Sequence, residues 1–365
     1  MFKIPTKVLY RQPFAETYTC IEQTAHEPVL LSSYDSIDKH SGFLFAPFAL
    51  SGDSPIIVIR PDRVEEMPVL KSDDSDADIP AAFVADEDET RNRQCYAEDF
   101  RSCHINLLND KFQKIVLARS CDEMFCCGEV QEERLSSIAT TLFHRACRLF
   151  PRQFVALVSS TVCGYWLMAT PEVLLKLKNR EGRSMALAGT MKAESVPTAD
   201  IENGNVSCWS DKNREEQQIV ARYISDCLSP YVDKLSQSEP HTIVAANVCH
   251  LQTDFEFTLK ESSSLGKLVA ALHPTPAVCG LPKSVTCHHI TANEHCHREY
   301  YSGFAGPLNI DDATSLFVSL RCMHIMPDRF RLYAGGGLLR ESSEEQEWQE
   351  TCAKMQAMRK LIIDN

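Results

Sequence analysis

The stretch FVALVSSTVCGYWLMATPEVLLKLK, residues 154–178, decides the fold class. Three short apolar runs, FVALV, GYWLMA and EVLLKL, follow one another at hairpin spacing, separated by breaks that carry Ser159, Ser160, Thr161 and Pro171. Strands joined by only a few residues pair antiparallel, because a parallel connection needs a crossover of about a dozen residues or more. This is also the richest apolar stretch of the chain. Its hydroxyl residues interrupt it short of the roughly 18 apolar residues that would suggest a membrane span.

Working outward, KFQKIVLAR (111–119) alternates so that Phe112, Lys114, Val116 and Ala118 share one face of a strand. Residues 131–149 read as a helix, with Leu135, Ile138, Leu142 and Ala146 recurring at three- and four-residue steps. Helical spacing returns over 211–228. LFVSLRCMHI (316–325) and RFRLYAG (329–335) read as strands joined by the turn Met326-Pro327-Asp328, and 344–363 as a final helix. Neighbouring hairpins with long helices predict an α+β protein with largely antiparallel sheet.

At about 150 residues per domain, 365 residues allow one large or two ordinary domains. Residues 71–93 are the clearest break in composition. Asp73, Asp74, Asp76, Asp78, Asp86, Glu87, Asp88 and Glu89 occur there with no base between them, which predicts a solvated acidic surface loop. The chain has 37 Lys and Arg against 50 Asp and Glu, a net charge of −13. That balance argues against a nucleic-acid or anionic-membrane partner. It also means that an anionic ligand would need a local cation. The N-terminus shows no secretory apolar region, so the cytoplasm is expected, with the 16 cysteines reduced. The His and Cys residues of 287–297 match no usual zinc spacing.

Several residues stand out chemically. Glu347, Glu350 and Lys354 share one face of the final helix, and the 211–224 helix repeats the theme with Lys212, Glu215 and Glu216. Two helices each presenting a carboxylate can clamp a hard cation such as Mg²⁺; the plainer reading is a solvated charged face. Lys114 and Arg321 each fall on an apolar strand face, which suits either a functional group or an internal ion pair. Ala334-Gly335-Gly336-Gly337 is no nucleotide loop, and marks a close backbone approach instead.

Together the strings FQKIVLAR, ATPE (169–172), ALAGT (186–190), DKNREEQQIV, HPTPAVCG (273–280), GFAG, LRC, LYAGGGL and EWQETCAKMQAM occur in the order found in the chorismate-utilising enzymes. The chain resembles that family over roughly residues 94–363. The resemblance implies one large α+β domain of two antiparallel sheets packed between helices, with residues 1–93 as its N-terminal part and 94–365 as the chorismate-binding region. Lys114 with ALAGT looks like the isochorismate synthase pattern. Anthranilate synthases typically carry Gln at the first position, and aminodeoxychorismate synthases carry a nucleophilic Lys where Ala188 stands here.

The resemblance also implies roles. Water would add at C2 of chorismate while the C4 hydroxyl leaves, serving menaquinone or siderophore synthesis. Lys114 would deprotonate the water and Glu172 would protonate the departing hydroxyl. Glu216 and Glu350 would ligate Mg²⁺, with Glu347 one turn away. Arg321 would grip the enolpyruvyl carboxylate. Gly189, Thr190, His273, Gly335 and Lys354 would complete the substrate site, with His273 equally suited to a structural role. Glu216-Gln217 departs from the family's usual Glu-His, and Glu215 next door leaves the ligand ambiguous by one residue. Ammonia chemistry is absent, so no glutamine amidotransferase subunit is expected, and a monomer is. The alternatives are a salicylate synthase, which eliminates pyruvate in the same site, and a non-catalytic interaction protein of this fold.

Overall fold

The computed structural model describes residues 4–70, 79–245 and 248–363. Among these residues the strands form two ten-stranded sheets in which the paired strands run antiparallel. Along the first sheet lie, in spatial order, Lys114–Phe125, Arg329–Leu338, Cys322–Ile325, Gly164–Thr170, Phe154–Ser160, Lys7–Arg11 and Thr17–Glu22. The second runs through Val248–Leu259, Glu181–Lys192, Val173–Lys178, Ala313–Val318, Phe304–Leu308, Gly42–Ala46 and Ile56–Ile59. Residues 7–68 therefore contribute strands to both sheets.

The two sheets face each other across an aromatic core. Phe154 of the first stacks on Phe317 of the second with centroids 4.0 Å apart, and Phe45 stacks on Tyr300 at 4.2 Å. Helices cover the outer faces. The Glu132–Leu149 helix buries Leu135, Ile138, Leu142 and Ala146, the stripe its periodicity predicts, against the first sheet beside the Glu344–Ile362 helix. Asp211–Leu228 and Leu265–Leu272 do the same for the second sheet. No helix among the described residues is long and apolar enough to cross a membrane.

Two readings change. The acidic segment is not one loop. Residues 71–78 lie outside the described residues, and Asp86, Glu87, Asp88 and Glu89 form the first turn of the Asp86–Leu108 helix, where the helix dipole favours negative charge. LFVSLRCMHI is not one strand either. Ala313–Val318 belongs to the second sheet and Cys322–Ile325 to the first, and the chain crosses between them at Ser319–Arg321, with Arg321 at φ +44°. Alternation cannot show this, since both halves are apolar and extended.

Candidate active site

The crossing at Ser319–Arg321 has a twin. Gly164–Thr170 lies in the first sheet and Val173–Lys178 in the second, so the chain also changes sheets at Pro171-Glu172. The two crossings run antiparallel, with Ala169 N donating to Arg321 O (3.1 Å) and Val318 N to Glu172 O (3.0 Å). They place two charged side chains where an uninterrupted strand would place core residues. Both line a cavity between the sheets. Burial pushes the Glu172 carboxyl up to about 8, against the opposing pull of Lys114, Arg321 and Lys354. Burial also brings the Arg321 guanidinium down to about 10.

Arg321 is anchored from the side. Its Nη2 donates to Nε2 of His250 (2.8 Å), and Nδ1–H of His250 donates to Gly189 O (2.9 Å). One ring nitrogen thus donates and the other accepts, the pattern of a neutral imidazole, and burial together with Arg321 holds this histidine well below its ordinary range. Gly189 is accessible to His250 because the pairing register shifts between Ala188 and Met191, and Gly189 takes φ +70°. Thr190 lies in the same bulge, its hydroxyl 3.5 Å from His250 Nδ1.

The far wall carries three lysine–glutamate pairs. Ser210 caps the Asp211–Leu228 helix by accepting from Asn213 N, which orients its first two turns. Lys212 and Glu216 lie one turn apart there, Glu216 buried and Glu215 exposed. Lys114 Nζ, fully buried, lies 3.0 Å from Glu216 Oε1 and donates to Pro276 O at 2.7 Å. Lys212 Nζ is 2.6 Å from Glu347 Oε1, which also accepts from Ser342 Oγ (2.8 Å). Lys354 Nζ is 2.7 Å from Glu350 Oε1 and donates to Gly335 O at 2.8 Å. Burial and the neighbouring Glu350 raise the Glu347 carboxyl, so these acids feel one another.

The triple glycine lies against this cluster. A Cβ on Gly337 would sit 2.1 Å from Glu216 Oε1 and 2.8 Å from Lys114 Cε. One on Gly336 would sit 3.0 Å from Glu347 Oε2 and 3.6 Å from Glu350 Oε1. A cradle that any side chain would fill thus opens onto three carboxylates, the oxygen-only donor set of a hard divalent cation. With each acid turned to its lysine, no three His, Cys, Asp or Glu side chains among the described residues converge closely enough to hold an ion.

Residues 38–363 match the model of the family described as chorismate binding enzyme. The chain belongs to the chorismate binding enzymes. It is 28% identical over 284 residues to the salicylate biosynthesis isochorismate synthase of Pseudomonas aeruginosa, covering 78% of this chain and 58% of that one. It is 31% identical over 196 residues to the isochorismate synthase EntC of Escherichia coli, covering 53% and 50%. The chain thus spans little more than half the length of these curated relatives. Its fold is that of the menaquinone-specific isochorismate synthase MenF of Escherichia coli (TM-score 0.78, 20% identity, 98% and 88% covered). It is also similar to anthranilate synthase component I of Streptococcus pneumoniae (TM-score 0.66, 13% identity, 98% and 92% covered).

In this chorismate binding enzyme Glu172, Gly189, Thr190, Glu216, Arg321, Gly335, Glu350 and Lys354 all line one cavity. Lys114 and Glu347 stand immediately behind that lining, each in contact with a member of the lysine–glutamate set. His273 is elsewhere. Its Nε2 is held by the carbonyls of Pro47 (3.1 Å) and Phe48 (3.2 Å), and burial brings it down to about 3, so it joins the N-terminal segment to the HPTP turn and does not line this cavity. Gln217 points away from the acids, donating to Ala186 O and Thr253 Oγ1, both at 3.1 Å. Two residues escaped the sequence reading. His250 shares its strand face with Val248, Gln252 and Asp254, a mixed set in which alternation gives no signal. Lys212 was named only as part of a charged face.

Proposed function

We propose that this chain is an Mg²⁺-dependent isochorismate synthase, adding water at C2 of chorismate with loss of the C4 hydroxyl. The observation that carries the reading is Glu172: a carboxyl buried in the cavity and pushed up to about 8, hence protonated near neutrality, beside a guanidinium suited to a carboxylate. A general acid for a leaving hydroxyl needs that state.

The other roles follow from position. Arg321, fixed by His250, presents its guanidinium to the enolpyruvyl carboxylate, where a bidentate pair is worth more than a point charge. Lys114 takes the proton of the attacking water, from a place behind Glu216 that keeps bulk solvent away from it. Lys354 and the Gly189–Thr190 bulge close the cavity around the ring. Glu216 and Glu350, with Glu347, would hold Mg²⁺. The bound ion would neutralise and orient the ring carboxylate. The local cations answer the net charge of −13, which by itself disfavours a dianionic substrate.

The test is incubation of the purified protein with chorismate and Mg²⁺, with products separated chromatographically. Isochorismate alone supports this reading. Salicylate with pyruvate assigns the chain to salicylate synthesis, and absence of turnover overturns both.

A further inference from the structure

The three lysine–glutamate pairs are not equivalent, and the difference lies in which carboxylate oxygen faces the glycine cradle. For Glu216 the oxygen against Gly337 is Oε1, the same atom that contacts Lys114 at 3.0 Å. For Glu350 the oxygen nearest Gly336 is again Oε1, which contacts Lys354 at 2.7 Å. For Glu347 it is Oε2, while Lys212 and Ser342 both bind Oε1 on the other side. A cation entering the cradle therefore competes with two of the lysines and is served by the third.

We propose that Lys114 and Lys354 occupy the ligand oxygens of a divalent-cation site and leave them when the cation enters, whereas Lys212, with Ser342, is a positioning residue that holds Glu347 ready for it. This rests on reading the acid cluster as a hard-cation site, and adds that filling the site and releasing Lys114 are one event. Lys114 is fully buried and outside the cavity lining while it is bound to Glu216. A cation taking Glu216 Oε1 would free the Lys114 side chain to turn toward the cavity. The charges agree. Three lysines face three carboxylates, and the ion would add two positive charges to a wall that meets a dianionic substrate.

The inference makes a prediction of mixed sign, which simple electrostatics does not. Removing any lysine near a cation should tighten binding through charge alone. If Lys212 positions Glu347, its loss should instead weaken binding, since loss of a supporting partner typically costs 10–100-fold in metal affinity. The probe is Mn²⁺, titrated into the intact chain without substrate and read as free ion by electron paramagnetic resonance. Lys354→Met and Lys114→Met should each bind Mn²⁺ about threefold to tenfold more tightly than the parent protein. Lys212→Met should bind about tenfold or more weakly, and Ser342→Ala should weaken binding in the same direction. Lys354 is partly exposed and tolerates substitution, so it carries the test if the fully buried Lys114 does not. Unchanged or weaker binding in Lys354→Met overturns the exchange, and tighter binding in Lys212→Met overturns the positioning role. No binding to the parent protein, with the same result for Glu350→Gln, overturns the cation reading itself and this inference with it.

Discussion

Glu172 and Arg321 are neighbours on the two chain segments that pass between the sheets, locked together by backbone bonds from Ala169 N to Arg321 O and from Val318 N to Glu172 O. Charged residues in a sandwich core would ordinarily be intolerable. Here the crossings open a cavity at the same place, so the two side chains line space instead of displacing aromatic neighbours. The site is where the fold is interrupted.

Glu172→Gln keeps the shape and removes the acid. Turnover should fall by about 10²–10⁴, the usual contribution of a general acid, while chorismate still binds. Steady-state kinetics with a direct binding measurement checks this; a kcat near that of the parent protein would remove Glu172 from the role of acid.

The pH dependence has a definite sign. A carboxyl raised to about 8 is protonated below that value and ionised above it, so kcat should decline on the alkaline side as pH rises through about 8. The raised value also means that the folded state holds a proton the unfolded chain loses near pH 4.5. Glu172 therefore costs the fold progressively more stability from there up to about 8. Glu172→Gln should lose this slope, and thermal denaturation across that range would detect it. An unchanged slope would contradict the burial argument.

His250→Ala takes away the anchor of Arg321. A hydrogen bond to a charged group contributes about 1.5–3 kcal/mol, so KM for chorismate should rise by about tenfold to a hundredfold if the guanidinium loses its aim. Equal KM in both proteins would mean that Arg321 holds its place unaided.

Gly337→Ala places a methyl 2.1 Å from Glu216 Oε1, whereas a Cβ at Gly52 meets nothing within 4 Å. Gly337→Ala should cost about 1–3 kcal/mol of stability, as overpacking does, and abolish most activity, while Gly52→Ala leaves activity unchanged. Melting temperatures and turnover of the pair suffice. A fully active Gly337→Ala protein would mean that the cradle is dispensable.

Much of the fold was legible because hairpin spacing and helical stripes are local signals. Residues 132–149 buried the side chains their periodicity selected. The crossing at Arg321 was not legible, because Leu316 to Ile325 is extended and apolar on both sides of the change of sheet. His273 and His250 show the same limit from opposite directions. One lies in a conspicuous motif and is tied to the carbonyls of Pro47 and Phe48, while the other lies in an unremarkable strand and touches Arg321. Motif membership marks residues that matter, and only three-dimensional proximity separates those that hold the chain from those that face the cavity. Between Glu215 and Glu216 the sequence reading favours Glu216, and the helix buries Glu216 and leaves Glu215 exposed.

The early strands have a consequence for biosynthesis. Lys7–Arg11 pairs with Phe154–Ser160, and Gly42–Ala46 pairs with Phe304–Leu308. As the chain emerges from the ribosome, the wholly buried segment Gly42–Ala46 can pair early with Ile56–Ile59, but its other edge must wait until Phe304–Leu308 has been made. Such long-range pairing slows folding and leaves apolar strand edges open meanwhile. Nascent chains stalled before residue 304 should therefore be aggregation-prone and dependent on chaperones, a vulnerability set by topology and independent of the chemistry the finished site performs.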